Sequence, residues 1–313
     1  MAALSRTLAP QLPGAARWIR ARARSAKRGE GWWGLVYVLP ALAVVGLFVI
    51  YPLGRVFYYS LTRWDGITAP AWIGLANFRA LWHDPLFRSA IKNNLIFALA
   101  VPIQMTVPLG LAYAIYVRVP GWRLFRATFF LPAVLSTVVV GILAQQVFSF
   151  YGPLNSLLRA VGLSNLERDW LATPDRALGI ILIVVLWATF GYNVIIYLAG
   201  MSALDPALRE AALIDGAGHF RTLFRVIAPN LRRVIELVMV TSTVTVFAFM
   251  FTYIYVITNG GPGFSTYTTD FLIFQEAFAL GQMGYACAVA VVLTSVTALL
   301  GLVQIRLLTG RRS

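Results

Sequence analysis

Between the apolar runs Ala177–Met201 and Val234–Ile257 lies a polar stretch, Glu210–Leu231, reading EAALIDGAGHFRTLFRVIAPNL. Just upstream, Asp205 can cap a helix and Pro206 suits the first helical position, so a short helix is expected from there through Leu213. Gly216 and Gly218 break it. Phe220, Leu223, Phe224 and Ile227 then follow the i, i+3, i+4, i+7 template of a second helix, limited by Pro229. Arg221 and Arg225 share its opposite face, which leaves an apolar stripe able to pack beneath membrane helices. Read by itself, the stretch is a solvated connection or a pair of interfacial helices meeting at a glycine corner.

The flanks of this stretch set the class of protein. The chain has 313 residues, 59% of them hydrophobic and 12% charged, against roughly 45–50% and about 25% for an average soluble domain. Apolar spans run Gly34–Leu53, Leu95–Val117, Ala127–Phe150, Ala177–Met201, Val234–Ile257 and Gly284–Ile305. Each is close to the roughly 20 residues a helix needs to cross a hydrocarbon core. They lack strict alternation and are too long for barrel strands, whereas helices satisfy every backbone group in lipid. An all-α membrane protein with six transmembrane helices is expected.

The net charge of +14 could suggest nucleic acid, but the 26 Lys and Arg are distributed unevenly about the spans. Eighteen fall in the N-terminal tail, the second–third connection (Arg118, Arg123, Arg126), the fourth–fifth connection and the tail from Arg306. The opposite side holds eight, five of them in the long loop from Arg55 to Lys92. The bias places both termini in the cytoplasm and gives no reason to expect a nucleic-acid partner. The segment ARWIRARARSAKR, with six basic residues from Arg17 to Arg28, reads as a juxtamembrane anchor on anionic headgroups, in preference to a nucleic-acid arm or transit peptide. No small-x-small cleavage site follows the first span, so it is expected to be retained. The organisation is a basic tail (1–33), a transmembrane body (34–308) containing the polar segment 205–231, and a short tail (309–313).

Several chemistries find no support in the residues. Cys287 is the one cysteine, and His83 and His219 lie far apart, so neither a disulfide within the chain nor a metal site is expected. Acidic groups within the spans, which ion-coupled transporters need, are nearly absent; Glu236, at the start of the fifth span, is the nearest candidate. No serine–histidine, cysteine–histidine or paired-carboxylate arrangement offers a catalytic residue. Lys27 and Lys92 are the two lysines and neither follows a glycine, so no phosphate-cradling loop is present and no cofactor is expected in this chain. Any energy from ATP would have to come from another subunit.

Glu210, Ala211, Ala212, Asp215, Gly216, Ala217, Phe224, Ile227 and Pro229 together resemble the Glu-Ala-Ala motif, E-A-A-x-x-D-G-A-x-x-x-x-x-F-x-x-I-x-x-P, of permeases in binding-protein-dependent ABC importers. The step from Ile227 to Pro229 is one residue shorter than the written pattern, and Arg232 or Arg233 stands where a proline is frequent. The stretches TNGGPGFSTYTTDFLIFQEAF (Thr258–Phe278), GYACA (Gly284–Ala288), YPLGRVFYYSLTRWDG and WIGLANFRAL are similar to the maltose and glycerol-phosphate type of sugar permease; the first also reads simply as a Gly-Pro turn leading into a helix.

The resemblance implies a type I importer permease fold in a bacterial cytoplasmic membrane. It also implies that the Glu-Ala-Ala helix, between spans four and five, couples to an ATPase through Glu210, Ala211, Ala212, Asp215, Gly216 and Ala217. The implied partners are a second permease, two copies of a cytoplasmic ATPase carrying ATP and Mg, and an extracytoplasmic binding protein. The implied cargo is a sugar or polyol. A substrate path is expected along Gly191, Tyr192 and Asn193 of the fourth span and Phe247, Met250 and Tyr253 of the fifth, where aromatic faces and hydrogen-bonding groups suit sugars. Helix packing is the competing role for each. The rival functions are an ATP-independent secondary transporter and a membrane scaffold without a substrate path.

Overall fold

The computed structural model describes residues 36–309; the basic tail, Gly34 and Leu35 of the expected first span, and Arg311 and Arg312 lie outside the described residues. The chain forms two compact units that divide between Arg55 and Val56. The first helix, α1 (Val36–Ser60), includes a π turn at Gly46–Ile50.

Within the second unit, β1 (Thr62–Arg63) pairs antiparallel with β2 (Ala71–Trp72), and α2 (Ala76–His83) follows. The next span, α3 (Pro85–Tyr116), begins well before the expected Leu95. Asp84 caps it, its Oδ1 accepting from the Leu86 amide at 2.8 Å, with Pro85 in the first turn. Arg88, Lys92, Asn93 and Asn94 dilute the hydropathy of this first stretch, which hid it from a reading by apolar run length.

The third expected span is not one helix. It is α4 (Trp122–Val134) followed by α5 (Thr137–Val147), bent by 111°. Pro132 withholds an amide near the end of α4, Leu135 is extended, and the Ser136 hydroxyl caps α5 by accepting from the Val139 amide. A short helix, α6 (Pro153–Ala160), precedes the fourth span, α7 (Pro174–Ser202). The polar stretch forms α8 (Pro206–Ile214) and α9, which runs from His219–Thr222 through a π turn at Leu223–Ile227 to Ala228–Asn230. The fifth span is also broken, into α10 (Arg232–Ala248) and α11 (Phe251–Ile257), with a 47° bend. Then come α12 (Thr269–Phe274), extended by a π turn at Gln275–Ala279, and the last span, α13 (Met283–Thr309). Among the described residues, four helices are long and apolar enough to cross a membrane, and six spans result if each bent pair counts as one.

Two apolar cores hold this unit together. One gathers Ile181, Val184 and Val185 of α7 with Val246, Phe247, Met250 and Ile254 of the fifth span and Phe271 and Leu272 of α12. The other joins Leu109 and Tyr113 of α3 with Val194, Tyr197 and Met201 of α7, and draws in Leu223, Ile227 and Leu231 from the polar stretch.

Candidate functional site

The corner between α8 and α9 is built from local rules. Asp205 accepts from the Ala207 amide at 2.9 Å, so it caps α8 with Pro206 behind it. The far end closes through Gly216, whose φ of 75° lies in the left-handed region. The Gly216 amide donates to the Leu213 carbonyl at 3.1 Å and the Ala217 amide to the Ala212 carbonyl at 2.9 Å. That pair of bonds is a Schellman closure, and it sets the angle between the two helices.

The expected apolar stripe of α9 divides in two. Leu223 and Ile227 are buried, whereas Phe220 is 78% and Phe224 43% exposed. Phe220 and Phe224, four residues apart, pair with each other outside, their ring centroids 4.5 Å apart. Counted from Glu210, the aromatic and proline positions of the motif fall on Leu223 and Pro229. Taking Leu223 and Val226 in place of Phe224 and Ile227 therefore removes the shortened spacing. Glu210, Ala211, Asp215 and Gly216 are exposed, Ala217 is half-buried, and Ala212 is buried. Leu213 and Ile214 add to the exposed apolar surface of this corner. Glu236 pairs with Arg232 one turn away, Nε to Oε1 at 2.9 Å, at the start of α10.

In the middle of the bundle, helices α3, α4, α5, α7, α10 and α11 surround a cavity of about 190 Å³. Tyr192, Asn193 and Tyr253 of the expected path line it. The other three expected residues do not. Gly191 is where α7 meets α4, since a Cβ there would lie 2.1 Å from the Phe129 carbonyl oxygen. Phe247 and Met250 lie in the apolar core. Asn193 uses its Nδ2 to donate to the Gln104 backbone carbonyl at 3.1 Å, tying α7 to α3. Sequence reasoning missed Gln104, Thr137, Thr189, Thr241, Ser242 and Thr245, which also line the cavity. The run of hydroxyls TSTVT at Thr241–Thr245, inside an apolar span, was the available signal.

The break in the fifth span lets both of its halves reach this cavity. A broken helix frees backbone groups that lipid cannot satisfy. Here Asn94 Nδ2 donates to the Val246 carbonyl at 2.8 Å, and the Phe251 amide donates to Asp270 Oδ2 at 2.6 Å. Asn94 Oδ1 accepts from both the amide and the hydroxyl of Thr269, and Asp270 Oδ1 accepts from the Thr268 hydroxyl at 2.6 Å. Burial pushes the Asp270 carboxyl up, against hydrogen bonds from Thr268, Phe251 and Phe271 that hold it down. The glycine-rich connection is clamped from the same helix: Asn93 Nδ2 donates to the carbonyls of Ser265 and Tyr267 at 2.7 and 2.8 Å. Gly260, at φ 85°, could carry no side chain, because a Cβ would meet the Tyr267 ring at 2.4 Å.

Comparison with known proteins agrees with this architecture. The chain is 35% identical over 281 residues to the lactose transport system permease protein LacF of Rhizobium radiobacter, covering 88% of this chain and 92% of that one. It is 30% identical over 296 residues to the diacetylchitobiose uptake system permease protein NgcF of Streptomyces coelicolor, covering 90% and 84%. A crystal structure of a bacterial ABC transporter involved in the import of the acidic polysaccharide alginate shares the fold, with a TM-score of 0.78 at 22% identity over 94% of this chain and all of that one. The binding-protein-dependent transport system inner membrane component family matches residues 66–309, a stretch that holds the broken spans, the cavity and the glycine corner, and the chain belongs to that family.

Proposed function

We propose that this chain is one of two permeases in an ATP-driven importer that carries a sugar or polyol handed over by an extracytoplasmic binding protein. The observation that carries this reading is the central cavity, whose walls combine hydroxyls, amides and the aromatic faces of Tyr192 and Tyr253. Such groups suit a ligand that presents C–H faces and many hydroxyls. The relatives named for lactose and diacetylchitobiose support the same substrate class.

In this reading the chain sits in a bacterial cytoplasmic membrane with both termini inside. The exposed corner of Glu210, Ala211, Asp215, Gly216, Leu213 and Ile214 docks on one of two ATPase subunits, which hold ATP and Mg. Ala212 and Ala217 set the close packing behind that surface. Closure of the ATPases draws the corner inward and opens the cavity to the outside; hydrolysis resets it.

Replacing Tyr192 or Tyr253 by alanine should cut sugar uptake while the ATPase still co-purifies and the binding protein keeps its affinity. Asn193 is a poorer probe, because its amide also secures α3. Normal uptake in both tyrosine variants would remove the cavity from the path.

A further inference from the structure

Gln104 lies midway along α3, 1% exposed, and neither its Nε2 nor its Oε1 has a hydrogen-bond partner. Its backbone carbonyl is already engaged by Asn193, so the side-chain amide is what remains unmet. The residue lines the central cavity, as does Ser242, which is 3% exposed and whose Oγ is likewise buried and unpartnered. Buried polar groups in native proteins are nearly always paired, and those in membrane interiors serve function. Two unpaired ones lining a single cavity, from the neighbouring helices α3 and α10, need a common explanation.

We propose that Gln104, assisted by Ser242, is a specificity-determining residue of this cavity and selects an uncharged, hydroxylated ligand. The inference rests on the pathway reading above and narrows it. A carboxamide presents a donor and an acceptor side by side. Its complement is a pair of neighbouring hydroxyls, or a hydroxyl beside an acetamido group, because these also donate and accept. A carboxylate or phosphate only accepts; it would satisfy Nε2 and set its charge against the lone pairs of Oε1. None of the described residues lining the cavity is charged, so an anion would lose its water here without gaining a counter-charge. The cavity thus matches neutral cargo such as lactose or diacetylchitobiose and not an acidic polysaccharide.

The test uses the assembled transporter with Gln104→Leu and the volume-conserving Gln104→Met. If the amide waits for a ligand, removing it relieves an unmet group in the empty protein. The melting temperature of the unliganded complex should stay level or rise, while maximal uptake falls roughly tenfold, as expected for losing about one hydrogen bond to the ligand. A purely structural glutamine would give the reverse: a lower melting temperature and unchanged uptake. Either of those results in Gln104→Met overturns the proposal. In parallel, a millimolar pool of lactose, diacetylchitobiose and maltose should stabilise the wild-type complex, and a pool of glycerol 3-phosphate and alginate oligosaccharide should not. No shift with the neutral pool, or a larger one with the anionic pool, also overturns it. If the Tyr192 and Tyr253 variants lose uptake and Gln104→Met does not, this inference fails and the pathway stands; if none of the three loses uptake, the pathway itself fails.

Discussion

At the scale of single residues, Glu210 and Gly216 stand a turn and a half apart yet answer to different physics. Glu210 is exposed and has no role in the fold, so Glu210→Ala should leave the melting temperature unchanged. It should still loosen the ATPase by roughly 1.5–3 kcal/mol, the worth of one charge-assisted hydrogen bond. Gly216 has open space around its Cβ position, but its φ of 75° makes any side chain strained, so Gly216→Val should lower stability by about 1–2 kcal/mol. Thermal melts beside ATPase co-purification separate the two effects; equal melting losses in both variants would contradict the assignment. Gly216 was legible in the sequence because turn chemistry depends on near neighbours, and Glu210 was singled out by the motif it opens. Gln104 was not, since an unpaired amide is recognised only once the helices around it are in place.

At the scale of elements, apolar run length predicted where spans lie and missed where they break. The bend of α10 against α11 depends on Asn94 and Asp270, which reach Val246 and Phe251 from other helices. No window of local sequence contains that pairing. The bend of α4 against α5 left more trace, in Pro132 and the capping Ser136. Asp270→Asn keeps the shape and offers one oxygen where two accepted, so one of the Phe251 and Thr268 donors is left unmet. The loss should be about 1–3 kcal/mol of stability. Spin labels at exposed Leu237 on α10 and Tyr255 on α11 should show a broader distance distribution in that variant. An unchanged distribution would mean that the carboxylate does not hold the bend.

At the scale of the molecule, the charge bias predicts the 205–231 corner inside and the 258–268 connection outside. Accessibility to an impermeant thiol reagent tests this after Cys287 is replaced by serine. Ser265 is a poor outside probe because its Oγ is buried, whereas Phe264 is 56% exposed. On the other face Phe220 is 78% exposed. Phe264→Cys should label in intact cells and Phe220→Cys only after lysis; the reverse would invert the topology. The overall arrangement, six spans with a polar excursion between the fourth and fifth, was readable from hydropathy and charge alone. The position of the cavity was not, since it lies where two bends and two straight helices converge.

Gly191 gives α7 a fulcrum. The helix is a single rod from Pro174 to Ser202, passing the cavity wall at Tyr192 and ending at the cap of α8. At Gly191 it presses directly on the Phe129 carbonyl of α4, closer than any side chain would allow. Below that crossing Val194, Tyr197 and Met201 pack α7 against α3, so the two helices are held together as one body. Below that point α7 extends for eleven residues, so at 1.5 Å per residue a tilt of about 5° moves its lower end by roughly 1.5 Å. If the glycine corner docks as proposed, a push there would reach the cavity wall at Tyr192 along this one helix, with an arm length written into the distance between one glycine and the end of its helix.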